Sequence, residues 1–145
     1  MTISVVLDAA AFDVIDTAEG AQLRQLLRAV LGRGGTARCA AVTLAEVCRG
    51  PARTSRVEEA LARDRGGQRI LVAPTDVALA KLVGAVLHAL GRSSETMADA
   101  HVVAVCARTD AAIVITSDPD DIDELATALP GTRVTTRTPR AIAPS

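Results

Sequence analysis

Aromatic side chains are almost missing from this 145-residue chain: Phe12 is the only one, with no Trp and no Tyr. The core must therefore be aliphatic, and base stacking cannot be the main way such a protein holds a single nucleic acid strand. Lysine is nearly absent too, with Lys81 alone beside fifteen Arg, a skew that together with abundant Ala fits GC-rich coding. The two His, His88 and His101, are too few and too poorly placed for a His-based nuclease; His101 is expected on a different helix face from Asp99, and both read as structural. Cys39, Cys48 and Cys106 show no Cys-x-x-Cys spacing and lie among apolar neighbours, which argues against a disulfide framework or a zinc site. No Gly-x-Ser-x-Gly elbow occurs, and no thiol has an evident His partner, so nucleophilic Ser or Cys catalysis has no support. Apolar runs never reach the about 18 residues of a membrane span, and the N-terminus has no basic segment or cleavage site of a signal peptide. A cytoplasmic protein with no membrane association is the expectation.

What is present is one domain's worth of chain, 49% hydrophobic, long enough to bury a sizeable core unaided. The expected organisation is a single domain over 1–145, with 139–145 as a loose tail. The net charge of −1 hides a local bias: between Arg49 and Arg69 stand six Arg against Glu58, Glu59 and Asp64. That segment is either a phosphate-holding surface, since Arg forks onto phosphate oxygens, or a solvated amphipathic helix.

Strand and helix patterns alternate. Ile3 to Leu7 and Ala111 to Ile115 read as buried parallel strands. Shorter strands are expected at Ala37 to Val42, Arg69 to Val72 and Arg133 to Thr135. Helices are expected at about Glu19 to Leu31, from Thr43 to the Gly50-Pro51 stop, at Ser55 to Arg63, from Pro74-Thr75 to Gly91, at Ser94 to Arg108 and at Asp120 to Leu129. Such alternation predicts a parallel sheet covered by helices on both faces.

Against this frame four acids stand out. Asp8 ends the first strand, Glu46 lies early in a helix, Asp99 sits within a helix near Val102 and Val103, and Asp118 follows the Ala111 to Ile115 strand. Each also has a plain structural role open to it. Asp8 suits a turn, Thr43-x-x-Glu46 matches a capping box, and Asp118 before Pro119 suits a helix N-cap. Asp99 has the weakest such excuse, because an unpaired carboxylate on a burying face is costly. Jointly the acids say more, because in open α/β sheets the crevice outside the carboxyl ends of the strands takes the ligand. Two carboxylates about 5 Å apart repel by roughly 3 kcal/mol at an effective dielectric near 20, so a cluster calls for raised pKa values or a cation. An all-oxygen donor set selects Mg2+ or Mn2+, which can acidify a bound water and hold a scissile phosphate. Phosphodiester hydrolysis is the chemistry that follows.

The ordered pieces Val6-Leu7-Asp8-Ala9, Thr43-Leu44-Ala45-Glu46-Val47, Ala98-Asp99-Ala100-His101 and Thr116-Ser117-Asp118 resemble the PIN-domain family, across nearly the whole chain. Size and layout most resemble the VapC-type toxins of bacterial toxin–antitoxin pairs. The resemblance implies a PIN-like α/β fold with a central, mostly parallel sheet of about five strands flanked by helices. It implies a magnesium- or manganese-dependent endoribonuclease, with Asp8, Asp99 and Asp118 as metal ligands and Glu46 ligating metal or orienting the attacking water. Thr116 would support the cluster by hydrogen bonding, and Asp120 or Asp121 would add a further acid. It also implies an RNA substrate, a cognate antitoxin that blocks the site, and a homodimer.

Other classes fit less well. A haloacid-dehalogenase-like phosphatase needs a second Asp where Ala10 stands, and a response-regulator receiver needs a late Lys that the chain lacks. A catalytically silent PIN-like module that only binds antitoxin or RNA is the remaining rival, and four retained acids argue against it.

Overall fold

The computed structural model describes residues 2–140. Strand β1 (Ile3–Leu7) leads into helix α1 (Ala9–Val14), a short 3-10 turn over 18–20, and α2 (Ala21–Gly32). Then follow β2 (Thr36–Ala40), α3 (Ala41–Val47), α4 (Pro51–Ala62), β3 (Leu71–Ala73) and α5 (Val77–Ala89). A second 3-10 turn over 94–96 opens into α6 (Met97–Cys106), before β4 (Ala111–Ile115), α7 (Pro119–Ala126) and β5 (Arg133–Arg137).

The five strands form one sheet in the order β3-β2-β1-β4-β5, and every pairing is parallel. The two-residue period of a strand sends alternate side chains to opposite faces, and two aliphatic cores result. Val6, Ala112 and Val114 join the core under α5, α6 and α7. Val5, Leu7, Ile113 and Ile115 join the one against α1 and α2. With both faces covered, β1 and β4 are apolar apart from the buried Ser4, as the sequence suggested.

The chain order reverses between β1 and β4: β2 and β3 lie on one side of β1, β4 and β5 on the other. That reversal opens a crevice at the carboxyl ends of β1 and β4, where connections depart in opposite directions.

Most element ends differ by one to three residues from the sequence-based expectation, and three differences bear on the site. Helix α1 begins directly after Asp8, where no helix was expected, because its short Ala-rich run carries little periodicity. Strand β2 stops at Ala40, opposite Ala73, the last residue of the short edge strand β3. The chain enters α3 at Ala41 with Ala40 as an N-cap lacking any side-chain bond, so Thr43 lies inside the helix and the Thr43-x-x-Glu46 capping box does not form. Helix α4 starts at Pro51 rather than Ser55; Gly50, at φ +87, adopts the left-handed backbone that turns α3 into α4. Of the expected tail, Pro139 is buried and Arg140 is ion-paired to Glu19, while 141–145 lie outside the described residues.

Candidate active site

Asp8 leaves β1 at the crevice. Its N–H donates to the Ile115 carbonyl at 2.9 Å, one step beyond the last register pair of β1 and β4. Its carboxylate is 6% exposed and doubly held: Oδ1 accepts from the Ala9 N–H at 2.8 Å, capping α1, and Oδ2 accepts from the Thr116 hydroxyl at 2.8 Å. The turn-capping role and a place in the crevice therefore coexist in one residue. Thr116 is fully buried just past β4; its N–H donates to the Arg137 carbonyl at 2.9 Å, and its hydroxyl accepts from the Asp118 N–H at 3.0 Å. Thr116 thus fixes both the Asp8 carboxylate and the backbone that presents Asp118.

Asp118 occupies the N-cap position of α7, yet its side chain makes no capping bond and is exposed. Asp99 lies in the first turn of α6, half-buried, on a helix that packs on β1, β2, α3, α5 and α7. Glu46 lies in the last turn of α3 and is exposed.

These acids share one electric field. Burial, and then the charges of Asp8, Asp118, Asp121 and Glu46, push the Asp99 carboxyl from 3.8 up to about 6. Glu46 is raised by burial, then by Asp8 and Asp118, with Arg49 opposing. Carboxylates from the ends of β1 and α3 and the starts of α6 and α7 therefore lie within electrostatic reach of one another. Between the two acids that the sequence offered after Asp118, Asp121 is the one whose charge reaches Asp99. The ion pairs of Arg53, Arg63, Arg65, Arg92, Arg108 and Arg140 all go to other acids than Glu46, Asp99, Asp118 and Asp121.

The donor set is all oxygen, as a hard divalent cation requires. Among the described residues no three acid, His or Cys side chains are drawn tightly enough around one point to grip an ion directly. Mg2+ tolerates this spacing, because it keeps several waters and takes only one or two carboxylates directly.

Half of the arginine-rich segment, namely Arg53, Arg63 and Arg65, is ion-paired away from these acids. Arg53, Arg56 and Arg63 line a cleft of about 350 Å³ with Phe12, Val47 and Val57, beside the acids rather than over them. Arg53 bonds Asp13 at 2.7 Å; Arg63 and the buried Arg65 both hold Asp16, at 3.0 and 3.1 Å. Sequence reasoning missed Asp13 and Asp16 as partners, and only their place on an acidic edge of α1 could have drawn notice. His101 lies buried with Nδ1 at 2.8 Å from the Met97 carbonyl, which can only accept, so Nδ1 carries the hydrogen.

A parallel sheet with acids gathered at its switch point defines a class, and the family model for the PIN domain matches residues 5–128. The chain belongs to the PIN domain family, whose members are generally nucleases. Its fold is also similar to a crystal structure of VapBC2 from Rickettsia felis bound to a DNA fragment from their promoter. The TM-score is 0.62 at 12% identity, over 92% of this chain and 98% of that one. No curated protein matches the chain.

Proposed function

We propose that this protein is a metal-dependent endoribonuclease, acting on RNA phosphodiester bonds as the toxin of a toxin–antitoxin pair. What supports the reading is the mutual influence of Asp8, Glu46, Asp99, Asp118 and Asp121: burial first, and then the charges of the other four acids, raise Asp99 to about 6. A protein gains nothing in stability from such crowding; a cation and a phosphodiester give it a use.

Asp8, Asp99 and Asp118 are the residues that would hold Mg2+ or Mn2+, with Asp121 beside them and Asp120 left outside the group. The ion would acidify a water and neutralise charge on the phosphate. Asp8 is the fixed member, oriented by Thr116 and the Ala9 amide, so it needs no reorganisation on binding. Glu46 is exposed, and its raised pKa suits it to orient the attacking water and receive its proton. The family kinship and the fold shared with the VapBC2 complex support an antitoxin partner, and a homodimer is part of the same proposal. No helix among the described residues is long and apolar enough to cross a membrane; a cytoplasmic place of work is part of the proposal.

The test incubates purified, antitoxin-free protein with a panel of structured RNAs in Mn2+, Mg2+ or chelator, beside Asp8→Asn. Asn retains a capping oxygen, so that variant should fold. Metal-dependent cleavage by the wild type alone is expected. Identical, metal-independent patterns from both proteins would leave the catalytically silent, partner-binding module as the better account.

A further inference from the structure

Five carboxylates at one crevice repel a polyanion as strongly as they attract a cation. RNA must therefore meet a positive group near the acids, and the structure offers few. Arg53, Arg63 and Arg65 are tied to Asp13 and Asp16, and Arg92, Arg108 and Arg140 to Glu124, Asp76 and Glu19. Arg137, exposed at the same end of the sheet and bonded to the Thr136 carbonyl at 2.9 Å, is not among the charges that act on Glu46 or Asp99.

Arg49 differs from all of these. It follows α3 directly, three residues beyond Glu46, and is exposed and without an ion pair among the described residues. Its Nε donates to the Ala45 carbonyl at 3.1 Å, which anchors the side chain along the last turn of the helix. That bond uses one donor of five and leaves both terminal amino groups of the fork free. Arg49 is also the one cation among the charges that act on Glu46 and Asp99.

We infer that Arg49 grips an RNA backbone phosphate at the mouth of the acid crevice and so admits the strand to it. The inference rests on the nuclease reading, since it takes RNA as the ligand. Anchoring at Nε makes the fork pre-organised, so little side-chain freedom is lost on contact.

The experiment measures anisotropy of a short fluorescein-labelled single-stranded RNA in chelator, where no cleavage occurs, over a KCl series. Wild type, Arg49→Ala, Arg49→Lys and Arg33→Ala are compared. Arg33 ends α2 before β2, at the opposite end of the sheet from the acids. One phosphate contact in a single strand is worth about 0.7 in the slope of log affinity on log salt, or about fivefold at 0.1 M salt. Arg49→Ala is expected to lose that slope and affinity, Arg49→Lys to keep the slope, and Arg33→Ala to match the wild type. In the cleavage assay with Mn2+, Arg49→Ala is expected to raise KM about fivefold with far less effect on kcat. An unchanged slope in Arg49→Ala, an equal loss in Arg33→Ala, or no RNA binding by the wild type overturns the inference. A slope lost only in Arg49→Ala, in a protein that cleaves nothing, sinks the nuclease reading and leaves the phosphate grip standing.

Discussion

The hydroxyl of Thr116 donates to Oδ2 of Asp8 at 2.8 Å, joining two residues 108 positions apart across the seam of β1 and β4. Both are buried, and the bond holds one carboxylate oxygen in place while the Ala9 amide holds the other. Thr116→Val should leave that oxygen unpartnered and cost about 1–3 kcal/mol of stability in urea denaturation. Cleavage should fall with it, and Thr116→Ser should recover much of both. Full activity in Thr116→Val would show that Asp8 needs no such support.

Asp99 makes stability depend on pH. Its carboxyl titrates near 6 in the folded chain against 3.8 for the free group. Above pH 6 it is ionised in folded and unfolded states alike, and the folded state bears the cost of burying that charge and then the repulsion of its acidic neighbours. Between pH 6 and 3.8 the folded state takes up the proton first, so stability is gained as pH falls through that window. In chelator, the melting temperature of the wild type should rise from pH 7 toward pH 5. Asp99→Asn should start higher at pH 7 and lose most of that rise. Mg2+ or Mn2+ should raise the wild-type melting temperature at pH 7 and act more weakly on Asp99→Asn. Matching pH curves for the two proteins would dismiss Asp99 as the crowded acid.

Glu46 and Thr43 carry opposite expectations under two readings. In a capping box both stabilise α3. Here α3 starts at Ala41, Glu46 is exposed among like charges, and the Thr43 hydroxyl is buried without a hydrogen-bond partner. Glu46→Gln should therefore keep or raise the melting temperature while cleavage falls by at least about a hundredfold. Thr43→Val should be neutral or stabilising by about 1 kcal/mol, since it removes a buried unsatisfied group. Destabilisation in both variants with cleavage intact would restore the capping box.

Arg63 and Arg65 hold the same acid, Asp16, from different surroundings. The side chain of Arg65 is 4% exposed and that of Arg63 is 53% exposed. Arg65 also donates to the Ala60 carbonyl at 3.2 Å. Arg65→Ala should cost about 2–4 kcal/mol, because it opens a buried space and strips Asp16 of its sheltered partner. Arg63→Ala should cost less than about 1 kcal/mol, as exposed pairs do. Equal losses in thermal unfolding would mean that burial does not separate them.

Much of the sheet was legible in the chain. Val5 to Leu7 and most of Ala111 to Ile115 are covered on both faces, so nearly every residue there is pressed to be apolar. Ala37 to Val42 was misread because Ala and Val suit strand and helix alike; the length of β3 stops β2 at Ala40. The four acids were visible because each interrupts or ends an apolar pattern. Arg65 with Asp16 was not, since its partner lies 49 residues away and nothing local marks either residue as buried.

The sequence by itself determined the alternation of elements, the aliphatic core and the position of an acid at each strand end or helix edge. These follow from local periodicity and residue chemistry, which need no knowledge of neighbours in space. Only the tertiary structure decided that β1 and β4 pair, so that the Thr116 hydroxyl meets Asp8 and their connections part to open a crevice. It likewise separated Asp121 from Asp120 and left Arg49 as the cation acting on Glu46. Strand order and helix rotation set those relations, and both are fixed by packing between segments far apart in the chain.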